Sequence, residues 1–133
     1  FFPPCVYEID DLRNLPGEAF GPILHLRRFR AGKLESVIAE INATGYGLTF
    51  GMETRLDTRA QTVSGQIEAG NIYINRGMTG AVVGVQPFGG RGLSGTGPKA
   101  GGPHYLPRFA VEKVISTDLT AIGGNAALVN LTE

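Results

Sequence analysis

Several features that would place a protein in a functional class at once are scarce in this chain of 133 residues. It has a single cysteine, Cys5, which excludes an internal disulfide framework and predicts a reducing compartment, the cytoplasm. Its 12 basic residues balance 12 acidic ones, and a net charge of zero argues against nucleic acid as a partner. No apolar run approaches the roughly 20 residues that cross a bilayer, so no transmembrane segment is expected.

Residues suited to metal binding or nucleophilic catalysis are equally scarce. The two histidines, His25 and His104, lie far apart and have no cysteine partner, so their spacing predicts no metal site. Cys5 follows two prolines in an apolar stretch without a neighbouring basic group, a setting typical of a structural cysteine. The sequence therefore indicates no catalytic residue within this chain.

The chain does contain enough apolar material for a folded core. Hydrophobic residues make up 42% and charged residues 18%, proportions typical of a globular domain rather than a disordered one. It begins with Phe1-Phe2-Pro3-Pro4, without an initiating methionine, and continues at once into an apolar, strand-like stretch. We therefore expect it to be a piece of a larger protein.

Apolar periodicity predicts alternating strands and helices over the first 75 residues. Strands are expected at 6–9, 23–29, 48–52 and 71–75. Apolar residues at i, i+3, i+4 and i+7 predict a helix between Leu34 and Ile41, which Gly45 can end. A second helix can be capped by Asp57 and ended by Gly70. Right-handed crossovers then give an α/β fold, a parallel sheet covered by helices.

The pattern changes after Asn75, where a long glycine-rich loop is expected. More than half of the 20 glycines lie between Gly70 and Gly102, and no helical or strand period survives there. A loop of this length in a compact domain is more often functional than idle. A flexible linker is the alternative, but several apolar residues argue against it: Val82, Val83, Val85, Phe88 and Leu93. Residues 112–117 are expected to form a strand again, at the start of a C-terminal β arm.

One stretch of this loop matches a dinucleotide-binding fingerprint by its letters alone. The hexapeptide Gly90-Arg91-Gly92-Leu93-Ser94-Gly95 reads G-x-G-x-x-G. The fingerprint requires a preceding strand and a helix that begins at its end. Here Pro87-Phe88-Gly89 precedes it and Thr96-Gly97-Pro98 follows, so no helix can begin convincingly. We therefore do not expect a dinucleotide phosphate site at this loop.

Three stretches taken together resemble the aldehyde dehydrogenase superfamily. Glu18-Ala19-Phe20-Gly21-Pro22 is similar to the family's E-x-F-G-P, and residues 70–75 are similar to its G-x-x-x-x-N strand. Pro87-Phe88-Gly89-Gly90, followed by Leu93-Ser94-Gly95, is similar to its P-F-G-G-x-x-x-S-G. Each motif alone is weak, but all three in this order identify the chain as resembling the C-terminal part of the catalytic domain.

Within the superfamily, residues 79–90 and 94–103 are most similar to the pyrroline-5-carboxylate dehydrogenases, in particular the dehydrogenase module of bacterial bifunctional proline utilisation proteins. The resemblance implies part of an NAD-dependent enzyme that oxidises L-glutamate γ-semialdehyde to glutamate in proline catabolism. The implied partners are glutamate semialdehyde and the rest of the parent polypeptide. The alternatives are an aldehyde dehydrogenase with another substrate and a non-catalytic assembly fragment.

The resemblance also assigns roles to individual residues. Glu18 would accept hydrogen bonds from the ribose hydroxyls of the nicotinamide, and Phe20 would pack near the nicotinamide ring. Backbone N–H groups around Gly80 and Ala81 would hold the α-carboxylate of the substrate, and Phe88 would pack on its aliphatic stem. Without the resemblance, Glu18 would be a solvated loop charge, Phe20 a core residue and the loop an ordinary glycine turn.

The resemblance implies, finally, that the catalytic machinery lies elsewhere in the parent protein. The family's nucleophilic cysteine, its general-base glutamate and its dinucleotide-binding domain would all precede Phe1, and Cys5 does not match the nucleophile's motif. We expect residues 1–110 to belong to the catalytic domain and residues 111–133 to form an oligomerisation arm and tail. The C-terminal strand would then join a homo-oligomer.

Overall fold

A computed structural model describes residues 1–118, and its first element is a parallel pair of strands. Strand β1 (Cys5–Glu8) lies beside β2 (Ile23–Leu26), with Cys5 opposite Ile23. The connection contains a single 3₁₀ turn, Leu12–Asn14. The pair confirms the first two predicted strands, although β1 is shifted by one residue toward the N-terminus and β2 ends three residues earlier than the apolar pattern suggested.

Two helices supply the core of the chain. Helix α1 (Leu34–Ala43) follows a 3₁₀ turn at Ala31–Lys33, and helix α2 (Asp57–Gln66) has the same length. Ile38 of α1, Val63 of α2 and Ile67 just after it are the buried residues at their interface. Partly buried apolar residues surround them: Leu34, Ile41, Phe50, Met52 and Ile72. The helical spacing between Leu34 and Ile41 therefore predicted the buried face of α1 correctly.

A second parallel pair lies against these helices. Strand β3 (Tyr46–Gly47) is followed by β4 (Thr49–Met52), and β5 (Asn71–Ile74) runs parallel to β4 after the α2 crossover. A two-residue strand, β6 (Arg91–Gly92), pairs with β3 in the antiparallel direction. Strand β6 was not predicted, because two residues are too few to show a periodicity.

The predicted single parallel sheet is only partly realised in residues 1–118. The described strands form three separate two-stranded sheets, β1–β2, β3–β6 and β4–β5. Each two-stranded sheet leaves free backbone N–H and C=O groups along its outer edges, which other strands can satisfy. Within the described part of the chain, no strand bridges the gap between β2 and β4.

Asp57 does not cap α2, contrary to the sequence prediction. The cap position belongs to Leu56, in extended conformation and without a side-chain cap hydrogen bond, and Asp57 is the first helical residue. Its carboxylate in the first turn is still placed favourably for the helix dipole, because the N-terminal end is the positive one. The helix ends at Gln66, four residues before the expected stop at Gly70.

Two asparagines join segments that are distant in the sequence. The amide of Asn42 in α1 donates to the carbonyl oxygen of Gln66 at 2.8 Å and accepts the N–H of Glu68 at 2.9 Å. Asn75, with a positive φ of 55°, makes the same two-way contact with the backbone of Thr54 at 2.8 Å in each direction. These bonds fix the ends of α2 and of the β4–β5 pair.

The prediction of a strand at residues 112–117 is wrong within the described residues. These residues have no regular secondary structure and are exposed; Val114, for example, is 90% accessible. A strand requires a hydrogen-bonding partner, and nothing in residues 1–118 supplies one here. A four-residue 3₁₀ helix, Leu106–Phe109, precedes this stretch. The rest of the predicted arm, from residue 119, lies outside the described residues.

Among the helices of residues 1–118, none combines the length and apolar character that crossing a bilayer requires. The longest, α1 and α2, have 10 residues each.

Candidate functional site

The glycine-rich segment is attached to the start of β5 by two side chains. Asn71 donates from Nδ2 to the carbonyl oxygen of Pro87 at 3.0 Å and accepts the N–H of Gly89 at Oδ1 at 3.1 Å. The ammonium group of Lys99 donates to the carbonyl oxygens of Gly70 and Gly89, each at 2.5 Å, and to Oδ1 of Asn71 at 3.1 Å. All three ammonium donors are thus used inside the protein.

Close backbone contact at Gly70 makes this attachment possible. A Cβ atom at position 70 would lie 1.8 Å from the carbonyl oxygen of Gly89 and 2.8 Å from the Cα of Gly90. Only a residue without a side chain fits there, since real Cβ atoms do not approach oxygen so closely. Gly70 therefore permits the Pro87–Gly90 turn to lie directly on β5.

The backbone on both sides of Phe88 is fixed by further hydrogen bonds. Phe88 and Ala100 exchange two backbone hydrogen bonds, at 3.0 and 2.9 Å. Upstream, Val82 and Gln86 close a tight turn, and the N–H of Gly84 inside it donates to the carbonyl oxygen of Gly101 at 2.9 Å. The half-buried Phe88 is consequently presented from a braced backbone rather than from a free loop.

Gly80 and Ala81 lie in an exposed turn between β5 and this braced region. Gly80 has a φ of 102°, a backbone conformation that favours glycine, and a Cβ there would meet nothing within 4 Å. The hydroxyl of Tyr73 in β5 donates to the carbonyl oxygen of Gly80 at 3.2 Å. The guanidinium of Arg76 lies over the Tyr73 ring, 5.0 Å from its centroid. The turn is therefore open to solvent on one side and held by β5 on the other.

Glu18 lines an open cleft of about 830 Å³ between the Leu12–Asn14 turn and α1, together with Tyr46 and Leu93. Within residues 1–118 its exposed carboxylate has no hydrogen bond or ion pair, so both oxygens are free to accept. Phe20 is 92% exposed and does not line this cleft. The interpretation of Phe20 as a core residue is therefore wrong within this chain.

The two groups of expected site residues belong to different elements. Glu18 and Phe20 follow the Leu12–Asn14 turn, whereas Gly80, Ala81 and Phe88 belong to the glycine-rich segment after β5. Leu93, also from the glycine-rich segment, lines the same cleft as Glu18. The N–H of Leu93 donates to the carbonyl oxygen of Gly45 at 2.9 Å.

The G-x-G-x-x-G stretch lacks the following helix that a dinucleotide-binding fingerprint requires, which agrees with the prediction from its flanking residues. It contains β6 and two tight turns, closed by Ser94 N–H to Arg91 O and by Gly95 N–H to Gly92 O, both at 3.0 Å. No helix begins at its end; residues 96–105 contain only turns and bends and one isolated bridge. The hydroxyl of Ser94 accepts the N–H of Gly47 at 3.2 Å, which gives this serine a structural role.

The ionisable groups whose pKa values are shifted lie near the β1–β2 pair. A hydrogen bond with the Cys5 thiol raises the pKa of Tyr7. The side chain of Arg13, and then its backbone N–H, bind the carboxylate of Asp11 and lower its pKa from 3.8 to about 2. Residues 1–118 contain no cluster of three or more His, Cys, Asp or Glu side chains that could hold a metal ion.

The model of the aldehyde dehydrogenase family matches residues 1–115 of the chain. The chain belongs to the aldehyde dehydrogenase family. It is 50% identical over 133 residues to the "Bifunctional protein PutA" of Rhizobium meliloti, a match that covers 100% of this chain and 11% of the relative. The resemblance inferred from the three motifs is thereby confirmed.

Solved structures give the same result for this aldehyde dehydrogenase chain. A mutant of proline utilization A (PutA) from Bradyrhizobium japonicum matches with a TM-score of 0.84 and 54% identity, over 93% of this chain and 13% of that one. A 1-pyrroline-5-carboxylate dehydrogenase from Thermus with bound NAD matches with a TM-score of 0.69 and 38% identity, over 80% of this chain and 20% of that one. The chain thus spans only a small part of the relatives that it matches.

Sequence reasoning missed the three side chains that build the glycine-rich segment of this aldehyde dehydrogenase chain. The sequence pattern does not single out Lys99, and it predicts Asn71 and Tyr73 only as residues of a strand. A lone lysine inside a glycine-rich stretch, where carbonyl oxygens are abundant and side-chain acceptors few, is the signal that indicates a carbonyl-binding role.

Proposed function

We propose that this chain is the C-terminal part of the catalytic domain of an NAD-dependent L-glutamate γ-semialdehyde dehydrogenase, which oxidises the semialdehyde to glutamate in proline catabolism. The observation that carries the proposal is the exposed Gly80–Ala81 turn, braced by β5 and followed by a fixed Phe88. Relatives named PutA and 1-pyrroline-5-carboxylate dehydrogenase support the same substrate class.

NAD would be held in part by Glu18 and Phe20. Glu18 offers a carboxylate without an intrachain partner in residues 1–118, at the rim of a cleft wide enough for a ribose. A carboxylate only accepts hydrogen bonds and can take two hydroxyl donors at once. Phe20 exposes an aromatic ring that a flat nicotinamide can cover. When bound, NAD supplies the hydride acceptor of the reaction.

The substrate's α-carboxylate would bind to the backbone at Gly80 and Ala81. Successive N–H groups in a turn with a positive φ form an anion-binding concavity, and small residues let the anion approach. Phe88, half-buried and fixed by its pairing with Ala100, would pack on the aliphatic stem of the substrate. A carboxylate anchor and an apolar wall together suit a short aldehyde with an acidic head.

The reacting groups would come from the rest of the parent polypeptide. Cys5 lies in strand β1, partly buried, and it does not match the sequence motif of the family's nucleophile. We therefore assign no catalytic residue to this chain and expect it to be inactive alone. We place the parent enzyme in the cytoplasm, with residues 1–110 in its catalytic domain and residues 111–133 as an arm and tail.

The decisive experiment compares the complete parent protein with the purified 133-residue chain. The complete protein should reduce NAD when pyrroline-5-carboxylate is supplied, and the short chain should not. Turnover by the short chain alone would refute the assignment of the nucleophile to the rest of the polypeptide. An absence of NAD reduction by the complete protein would refute the proposed substrate.

The variant Ala81→Asp separates this substrate from other aldehydes. In the complete enzyme, a carboxylate beside the anchor should raise KM for glutamate semialdehyde by at least about tenfold through like-charge repulsion. An uncharged short aldehyde should be affected far less. Ala31→Asp, at an exposed position ahead of α1, is the matched control. Unimpaired semialdehyde oxidation by Ala81→Asp would favour another aldehyde dehydrogenase.

A second proposed role is assembly of a homo-oligomer. Residues 111–118 carry exposed apolar side chains in a stretch without regular structure, and Val111, Val114 and Ile115 are each at least 76% accessible. Such a stretch can add as a strand to the free edge of a neighbouring subunit's sheet.

Light scattering on the complete protein, with and without the residues after Arg108, tests this role. Loss of the arm should lower the molecular mass of the assembly to that of a smaller oligomer or a monomer. An unchanged mass after truncation would show that these residues do not hold subunits together.

A further inference from the structure

We propose that Tyr73 is a positioning residue for the substrate's α-carboxylate, because its hydroxyl fixes the peptide unit that carries the N–H of Ala81. This inference rests on the proposed function and deepens it. The hydrogen bond from Tyr73 Oη to the carbonyl oxygen of Gly80, at 3.2 Å, is the observation from which it starts. The carbonyl of Gly80 and the N–H of Ala81 belong to one and the same peptide unit.

The geometry of a peptide converts that bond into control over the N–H group. The unit is planar and trans, so its oxygen and its amide hydrogen point in opposite directions. A donor that holds the oxygen on the β5 side therefore turns the Ala81 N–H away from β5. Gly80, with a φ of 102° and no side-chain contacts, imposes little restraint of its own. The direction of the N–H is consequently set by Tyr73.

Tyr73 is well suited to act as a fixed point. It is 5% exposed and lies in β5, where it pairs with Gly51 of β4. Met78 packs over Gly51 so closely that a Cβ at that position would meet its Cγ and Sδ at 2.6 Å. The ring is thus enclosed while its hydroxyl reaches the carbonyl oxygen of Gly80, so Tyr73 gives the exposed peptide unit a fixed partner.

Arg76 supports the same arrangement. Its guanidinium lies over the Tyr73 ring, 5.0 Å from the centroid, and this cation–π contact stabilises the ring in the position from which its hydroxyl binds Gly80. Arg76, Tyr73 and the Gly80–Ala81 peptide therefore form one connected set of contacts.

The test uses Tyr73→Phe in the complete parent enzyme, with two aldehydes as substrates. Glutamate semialdehyde carries the α-carboxylate, and propanal lacks it. Loss of the hydroxyl should raise KM for glutamate semialdehyde about 3- to 10-fold, the range expected from one hydrogen bond. KM for propanal and kcat for both substrates should change less than about twofold. Tyr105→Phe, whose ring packs on Phe109 outside the turn, is the matched control.

Equal KM values for wild type and Tyr73→Phe, or equal increases for both aldehydes, would overturn the inference, since a purely structural role predicts no dependence on the carboxylate. Arg76→Met, at an exposed position, should shift KM in the same direction and keeps the test decisive if Tyr73→Phe does not fold. Impairment by Ala81→Asp together with no effect of Tyr73→Phe would reject the role of Tyr73 and leave the proposed function standing. No effect of either variant would reject the carboxylate anchor itself.

Discussion

The ammonium group of Lys99 lies 2.5 Å from the carbonyl oxygen of Gly70, 29 residues earlier in the chain. The same group also donates to the carbonyl oxygen of Gly89 and to the side chain of Asn71. A charged donor shared among three acceptors in a half-buried site holds the glycine-rich segment on β5. The conformation of the segment therefore depends on one side chain as well as on its glycines.

Replacement of Lys99 by Met should loosen this segment without unfolding the rest of the domain. Hydrogen bonds to charged groups contribute about 1.5–3 kcal/mol, so the free energy of local opening should fall by about that amount. The hydrogen-exchange rates of the Phe88 and Gly89 amides in the complete enzyme measure this free energy of local opening. Lys33→Met, at an exposed position before α1, is the control and should leave both rates unchanged. Unaltered exchange in Lys99→Met would contradict the role assigned to the ammonium group.

Gly70→Ala tests the close backbone contact at the same place. The new Cβ would lie 1.8 Å from Gly89 O, which forces the turn away from β5 at a cost of about 3 kcal/mol or more. Gly65→Ala is the matched control, since that position in α2 has nothing within 4 Å of the added atom. It should stabilise the helix by about 0.5–1 kcal/mol. In thermal unfolding, Gly70→Ala should thus lower the Tm and Gly65→Ala should raise it. Tm shifts of the same sign in both variants would contradict the close contact at Gly70.

Asp11 should show a low pKa that depends on Arg13. Its folded-state pKa of about 2 lies below the ordinary value of 3.8, so its bond to Arg13 favours the folded state above pH 3.8. That contribution is lost as the pH falls from 3.8 through about 2. Arg13→Met should raise the Asp11 pKa, which a carbon-13 NMR titration of the carboxyl group reports. Arg28→Met, which removes the partner of Glu8 instead, should leave the Asp11 titration where it is.

Asn42→Leu should weaken the junction between α1 and the end of α2. The substitution leaves the carbonyl oxygen of Gln66 and the N–H of Glu68 without their side-chain partner. Because water can reach this site in part, the free energy of unfolding should fall by only about 1 kcal/mol. Denaturant unfolding of the complete enzyme checks it, with the exposed Asn14→Leu as control. An equal loss in both variants would point to the added apolar surface rather than to the hydrogen bonds.

Local patterns were sufficient for both α-helices, for four of the six strands in residues 1–118 and for the family. The helical spacing from Leu34 to Ile41 and the strand pattern before Asn75 depend on neighbouring residues, which the sequence displays directly. Local context also excluded the dinucleotide loop, since the flanking prolines leave no room for a helix after Gly95. The assigned roles of Glu18, Phe20, Gly80, Ala81 and Phe88 remain predictions.

The tertiary structure alone decided which groups hold the glycine-rich segment and which strands find partners. The contacts of Lys99, Asn71 and Tyr73 join residues between 7 and 29 positions apart, and no periodicity encodes such hydrogen bonds. Residues 112–117 have the composition of a strand, but a strand exists only where another edge accepts its hydrogen bonds. The sequence thus determined the longer helices and strands and the family, because these depend on neighbouring residues, whereas the tertiary structure determined how the glycine-rich segment is held in one conformation.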